Sequence, residues 1–409
     1  MSASNTDRDL RVDFLRGAAL LFILWDHILQ MPHADAPFFL RITPVFWGIS
    51  SALAIFVFLS GYVYGRVYRK RVQRKGLGRA FVKSYDRAWE LMVVNLFTML
   101  VAVGVLGGLD LITGTTIATN PYNLGALFEL SATEAWHLLT LRFFPGPFAV
   151  LPLYIVLLLL VPLMLVLLRW HPAAALAASA VLYIAAQVGL TLPAPLMLCC
   201  DGEWPFNPFA WQFLFVIGVL LGWYRPRVLR LGWARAALAV VVLVAIKVWM
   251  LGRLARHGVP IPDELLASVP AAEKASLGPV RLGYFLVLAY ATAYYTQPLR
   301  QALRSSARWA AVARVAWVRP GQYSLTVYAA GMVFQMGAHE ALRLQSAHWL
   351  FTGAAITLGW LASMGVAVVV HHRRQLTAPS SSAPSSSRTP QAPHTPSTIA
   401  NGSTAHDPK

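Results

Sequence analysis

Leu10 to Gln30 reads LRVDFLRGAALLFILWDHILQ, an apolar stretch long enough to cross a bilayer that still carries Asp13, Arg16, Asp26 and His27. An ionisable group at depth in a spanning helix costs about 2.5–3.5 kcal/mol on insertion scales. A passive anchor has no reason to carry that cost. Arg16 and His27 are eleven residues apart, about 1100° of helical rotation, and so lie within roughly 20° of one face. Along the axis they stand about 16 Å apart. One helix face therefore presents a guanidinium near one membrane surface and an imidazole deeper in.

The rest of the chain supplies company for that helix. Of 409 residues, 57% are hydrophobic and 12% charged, about half the charged fraction of a soluble domain. Apolar segments at approximately 10–30, 46–65, 88–107, 148–168, 173–191, 208–224, 232–251, 279–297, 320–341 and 346–370 predict an all-α, polytopic integral membrane bundle of about ten transmembrane helices. The net charge of +17 would suggest nucleic acid in a soluble protein. Here the basic residues fall in alternate loops. With the N-terminus inside, 25 of the 34 Lys and Arg collect on the cytoplasmic side and seven on the other. That bias predicts cytoplasmic N and C termini, and it accounts for the charge without a nucleic-acid partner. Cys199 and Cys200 are adjacent and frame no disulfide scaffold. The division expected is a membrane domain over 1–376 and a disordered, Ser/Pro/Thr-rich cytoplasmic tail over 377–409.

Few polar residues lie inside the spans. Asp13, three residues before Arg16, either orients that guanidinium for an anionic ligand or neutralises it at the interface. His27 is a hydrogen-bonded structural residue or a group that takes a proton from a hydroxyl or accepts an acyl group. Ser60-Gly61, in the run IFVFLSGYVYG, permits close helix packing or lines a ligand passage. In SYDRAWEL, Arg87 and Glu90 stand at i,i+3 where the third span enters the membrane. Arg87 is surplus cytoplasmic charge or a holder of phosphates on a cytosolic donor such as a coenzyme A thioester. There is no P-loop, no dinucleotide fingerprint and no paired metal motif, so no metal site is expected.

Arg16 with ten residues before His27, FVFLSGY around Ser60, and the basic-acidic entry to the third span resemble the acyltransferase-3 superfamily of membrane enzymes. Within it the chain looks most like the OpgC family, succinyltransferases of osmoregulated periplasmic glucans. RDLRVDFLRG, DRAWEL at 86–91, FNPFAWQFLFVIG at 206–218, LGPVRLGYF at 277–285 and GQYSLTVYAAG at 321–331 carry that likeness. It implies a multi-pass enzyme of the bacterial inner membrane that takes an acyl group, succinyl by analogy, from cytoplasmic acyl-CoA. The acceptor would be a hydroxyl of a periplasmic glucan or other glycan, with the donor as substrate and no permanently bound cofactor. The resemblance gives donor handling to Arg16 and a catalytic role to His27, and sets Arg87 at the superfamily's basic entry; by position, Asp13 is expected with the catalytic pair, and Glu90 and Ser60 with Arg87 as CoA contacts. The superfamily's two-Arg form at the third span is replaced here by Asp86-Arg87. The competing expectation is a transporter or flippase for a polar or anionic substrate, since intramembrane charges also mark transport pathways. The paired broken helices of many transporters are not evident in the sequence.

Overall fold

The computed structural model describes residues 8–29, 51–114, 131–141, 146–192, 204–224, 232–257, 273–344 and 349–377. Cys199, Cys200 and the tail beyond Thr377 lie outside them. Among the described residues every regular element is helical, and helices occupy all ten expected apolar segments. They are α1 (Leu10–Leu29), α2 (Ala52–Thr113), α3 (Ala132–Leu139), α4 (Val150–Trp170), α5 (Pro172–Gln187), α6 (Pro208–Tyr224), α7 (Trp233–His257), α8 (Pro279–Tyr295), α9 (Ser324–Leu344) and α10 (Trp349–Leu376). Between the third and fourth apolar segments lies the short helix α3. By length and composition Ala52–Ile112, Val150–Trp170 and Trp349–Leu376 are long and apolar enough to cross a membrane, and α5 and α6 are shorter apolar helices. Large apolar side chains such as Leu163, Val181, Ile184, Val241 and Leu358 point outward, the surface expected of helices that contact lipid rather than water.

The second and third segments, read from sequence as spans joined by a basic loop, are the two arms of α2. Residues 66–87 are mostly good helix formers without proline, so helix continues through the basic region and is interrupted only at Gly76. That residue has φ 77° and ψ 172°, a backbone state open to glycine and costly for other residues. The break reverses the chain. Tyr64 Oη donates to Ser84 Oγ at 2.9 Å, although these residues lie roughly 18 Å before and 12 Å after Gly76 along their helices. Only an acute hairpin closes that gap. Ser84, fully buried, passes its own proton to the Leu158 carbonyl at 2.9 Å, which ties both arms to α4.

The first arm crosses α6 through paired glycines. A Cβ added at Gly61 or Gly65 would overlap the carbonyl oxygens of Phe215 or Val219, and one added at Gly218 or Gly222 would overlap those of Phe58 or Tyr62. Two small-xxx-small motifs thus face each other, and the backbones meet directly. The same device seats α1, where Gly17 meets the Trp317 carbonyl and Gly321 meets that of Asp13. Segment 308–322 contains a π-helical turn over Arg314–Val318 and braces the first turns of α1. Phe14 packs on Trp317 and Trp317 edge-on against Trp360 of α10.

Contacts also fix relative directions. Arg16 bonds Ser324 and Leu24 approaches Gly331, so α1 and α9 run parallel. The first arm of α2 and α6 are parallel as well, by their glycine pairs. By contrast α5 and α6 form an antiparallel pair, closed at one end by Asn207, whose Nδ2 donates to the Leu190 carbonyl at 2.7 Å. Asn207 Oδ1 also accepts from Phe209 N at 3.0 Å, so this asparagine serves as a helix cap.

Candidate active site

A cavity of about 350 Å³ opens between the two arms of α2 and is closed by α1, α4, α6 and α9. Four cations line it: Arg71, Lys83 and Arg87 from the hairpin, and Arg16 from α1. No carboxylate is among its lining residues. Ser60, Tyr154, Ser324 and Tyr328 contribute hydroxyls, and Phe56, Val63, Leu91 and Leu151 supply apolar wall. Ser60 therefore faces the cavity while its neighbour Gly61 makes the helix crossing. Close packing thus falls to Gly61 and a place in the cavity wall to Ser60.

The cations differ in setting. Lys83 pairs with Asp86 at 3.7 Å and Arg87 with Glu90 at 2.6 Å, with side chains between about two-fifths and three-fifths exposed. Such exposed pairs contribute little to stability, and they leave the guanidinium and ammonium groups available to a second anion. Arg71 lies over the Tyr68 ring at 5.1 Å. Arg16 is different. Its Nη2 donates to Ser324 Oγ at 2.8 Å and its guanidinium stacks over Phe56 at 5.5 Å, but its buried Nε meets no acceptor. A neutral hydroxyl and a ring face offset only part of the cost of taking a guanidinium out of water, which is several kcal/mol per ion.

The expected association of Asp13 with Arg16 is not what forms. Asp13 is buried and its carboxylate is held by Arg8, with Arg8 Nη2 to Oδ1 at 3.1 Å and Nε to Oδ2. Gln322 Nε2 donates to it at 3.4 Å. The reason is geometric. Side chains point back toward a helix's N-terminus, so Asp13 reaches Arg8 below it, and Arg16, one turn later, turns toward α9. Asp13 gives its hydrogen-bonded ion pair to Arg8, and only its charge reaches Arg16, which lines the cavity. Glu90 is paired with Arg87 but does not line the cavity.

His27 does not line the cavity either. It sits half-buried about 16 Å farther along α1, and on the intervening face Leu20 and Ile23 are buried in the core. Since α9 runs parallel, the residue level with His27 is eleven beyond Ser324. There α9 carries Gln335, and one turn on His339 and Glu340, all buried. Arg16 thus lines the cavity, and His27 lies outside it on the same face of α1. Outside both, Asp9 caps α1: Arg11 N, Nε and Nη2 reach its carboxylate at 3.2, 3.1 and 2.8 Å. Burial alone would push that carboxyl up, but the hydrogen bonds and charge of Arg11 outweigh it and hold the group below its ordinary range.

Tyr154 and Tyr328 went unremarked in the sequence, where a tyrosine in an apolar run reads as an interfacial aromatic. Both are buried, and both hydroxyls lack a hydrogen-bond partner. The signal available was their place beside Arg16, which becomes visible only when α1, α4 and α9 are assembled.

These features define a helical, membrane-type protein with an interior cavity lined by four cationic side chains. The chain belongs to the OpgC family: the family model described as OpgC protein matches residues 8–375, nearly the whole chain. That membership points to a membrane-associated succinyltransferase role in glucan modification. No curated protein and no solved structure matches the chain.

Proposed function

We propose that this protein is a multi-pass O-acyltransferase of the bacterial inner membrane that moves succinyl from cytoplasmic acyl-CoA to hydroxyls of a periplasmic glucan. The observation that carries the reading is the cavity, with basic side chains from the hairpin, a deep guanidinium and no carboxylate among its lining residues. A volume of about 350 Å³ lies at the lower end of small-molecule pockets. It suits an acyl thioester arm, while the nucleotide end of the coenzyme stays outside against Arg71, Lys83 and Arg87. The bias of basic residues toward the loops on that side, and the parallel course of α1 and α9, support a ten-span arrangement with both termini cytoplasmic.

In this reading His27 acts on the acceptor side. It removes the proton of a glucan hydroxyl, the oxygen attacks the thioester carbonyl, the C–S bond breaks, and the coenzyme leaves as thiolate and takes up the proton. General-base help of this kind contributes about 10²–10⁴-fold. The thioester and the hydroxyl meet only if the apolar face at Leu20 and Ile23 parts, so donor chamber and acceptor layer are separated until transfer. Mass spectrometry of periplasmic glucans from cells with and without the protein tests the reading. A succinyl mass increment that appears only with the protein supports it, and identical spectra overturn it.

A further inference from the structure

We infer that Tyr154 and Tyr328, together with Arg16, form a receptor for a carboxylate at the far end of the acyl group, so that the deep end of the cavity selects donors by terminal charge. The inference rests on the acyltransferase reading and adds to it the residues that choose the acyl group. Three polar groups line the same cavity with no partner for a buried atom: Arg16 Nε, Tyr154 Oη and Tyr328 Oη. They come from three different helices, α1, α4 and α9. Both tyrosines are more than nine-tenths buried. Buried polar atoms without partners are rare, and three of them on residues that line one cavity point to a missing ligand rather than to three separate defects.

The chemistry of the cluster narrows the ligand. It offers one full positive charge and two hydroxyl donors, and no carboxylate lines the cavity. A thioester carbonyl would satisfy a hydroxyl, but it is neutral and would not compensate a desolvated guanidinium. A carboxylate supplies the charge and has about four lone-pair sites, enough for the guanidinium and both hydroxyls. The phosphates of the coenzyme are the other anions on the donor, and the basic groups of the hairpin are available to them. Ser324 already accepts from Arg16 Nη2, which fixes the guanidinium plane and leaves Nε without an acceptor. Phe56 beneath it adds a rigid wall. The expected donor is therefore a monothioester of a short dicarboxylic acid.

Succinyl-CoA and butyryl-CoA test this directly, because they share the coenzyme and the four-carbon acyl chain and differ in a terminal carboxylate against a methyl. With purified protein and glucan, the ratio of kcat/KM for the two donors is measured for the wild type, Tyr154→Phe, Tyr328→Phe and the double variant. A charge-assisted hydrogen bond is worth enough that each single variant should lower the succinyl preference about tenfold or more. The double variant should lower it further. Thermal shifts of the purified protein with each donor give a readout without turnover. Succinyl-CoA should stabilise the wild type more than butyryl-CoA, and the difference should vanish in the double variant. Each Phe removes an unsatisfied buried hydroxyl, so the ligand-free variants should melt no lower than the wild type. A melting loss with unchanged donor preference would assign the tyrosines a structural role and overturn the inference. An unchanged ratio in active variants overturns it equally, while leaving the acyltransferase reading intact. A wild type that transfers from neither donor overturns that reading, and the inference with it.

Discussion

Alanine at Gly218 and alanine at Gly283 should change stability in opposite directions. Both glycines are interior to helices, α6 and α8, and in an isolated helix Gly→Ala stabilises by up to about 1 kcal/mol. At Gly283 a new Cβ meets nothing within 4 Å, so that gain is retained. At Gly218 the Cβ would overlap the Phe58 carbonyl oxygen and crowd Tyr62 N. These are backbone atoms of a neighbouring helix and cannot rotate away. Relief requires the first arm of α2 to move off α6, and overpacking of this kind costs typically 1–3 kcal/mol. Because the helix gain is common to both, the two variants should differ by the overpacking cost, about 1–3 kcal/mol, in reversible unfolding of the purified protein in mixed micelles. Ser60, next to Gly61, moves with the arm, so Gly218→Ala should also weaken acyl-CoA binding. Equal stability for the two variants would refute a direct backbone crossing. Gly61→Ala combined with Gly218→Ala should cost less than the sum of the singles, because one separation relieves both.

Other perturbations separate the remaining parts of the account. His27→Ala should abolish glucan acylation yet leave acyl-CoA affinity within about twofold, since His27 lies outside the cavity; glucan acylation at the wild-type rate would remove it from the mechanism. Ser84→Ala strips the Tyr64 hydroxyl and the Leu158 carbonyl of their partners at once, so unfolding experiments should show a loss of about 2 kcal/mol or more; a neutral result would mean the hairpin arms are not joined there. Asp9, whose carboxyl is held below its ordinary range by Arg11, stabilises the start of α1 above its ordinary pKa and ceases to do so as pH falls through the lowered folded value. Hydrogen exchange in the first turn of α1 should accelerate over that acidic range in the wild type and lose this dependence in Asp9→Asn; identical profiles would refute the cap.

Much of the helical layout was legible because apolar run length reports directly on helix placement in a chain of this composition. Helices stand at all ten apolar segments. The basic connection at 66–87 was not read as helix, because hydropathy registers where a helix is apolar and not where it continues into charged residues. Gly76 carries the turn, and a lone glycine among Arg, Lys and Leu gives little sign of a reversal. Within the site, Arg16, Ser60 and Arg87 were readable from residue type and position, and the structure gathers them around one cavity. The partner of Asp13 was not readable, since spacing allows Arg16 while side-chain direction favours Arg8. Tyr154 and Tyr328 were invisible for a different reason. Nothing in a single helix distinguishes a tyrosine at a lipid interface from one facing a buried cation three helices away.

The central claim is transfer across a membrane, from a donor on the basic face to an acceptor on the other. Proteoliposomes that enclose the glucan and receive succinyl-labelled succinyl-CoA only from outside test it most directly. The account predicts label bound covalently to the enclosed glucan, dependent on Arg16 and His27. Label that reaches only glucan added on the donor side, or that enters the lumen without bonding to glucan, would contradict it.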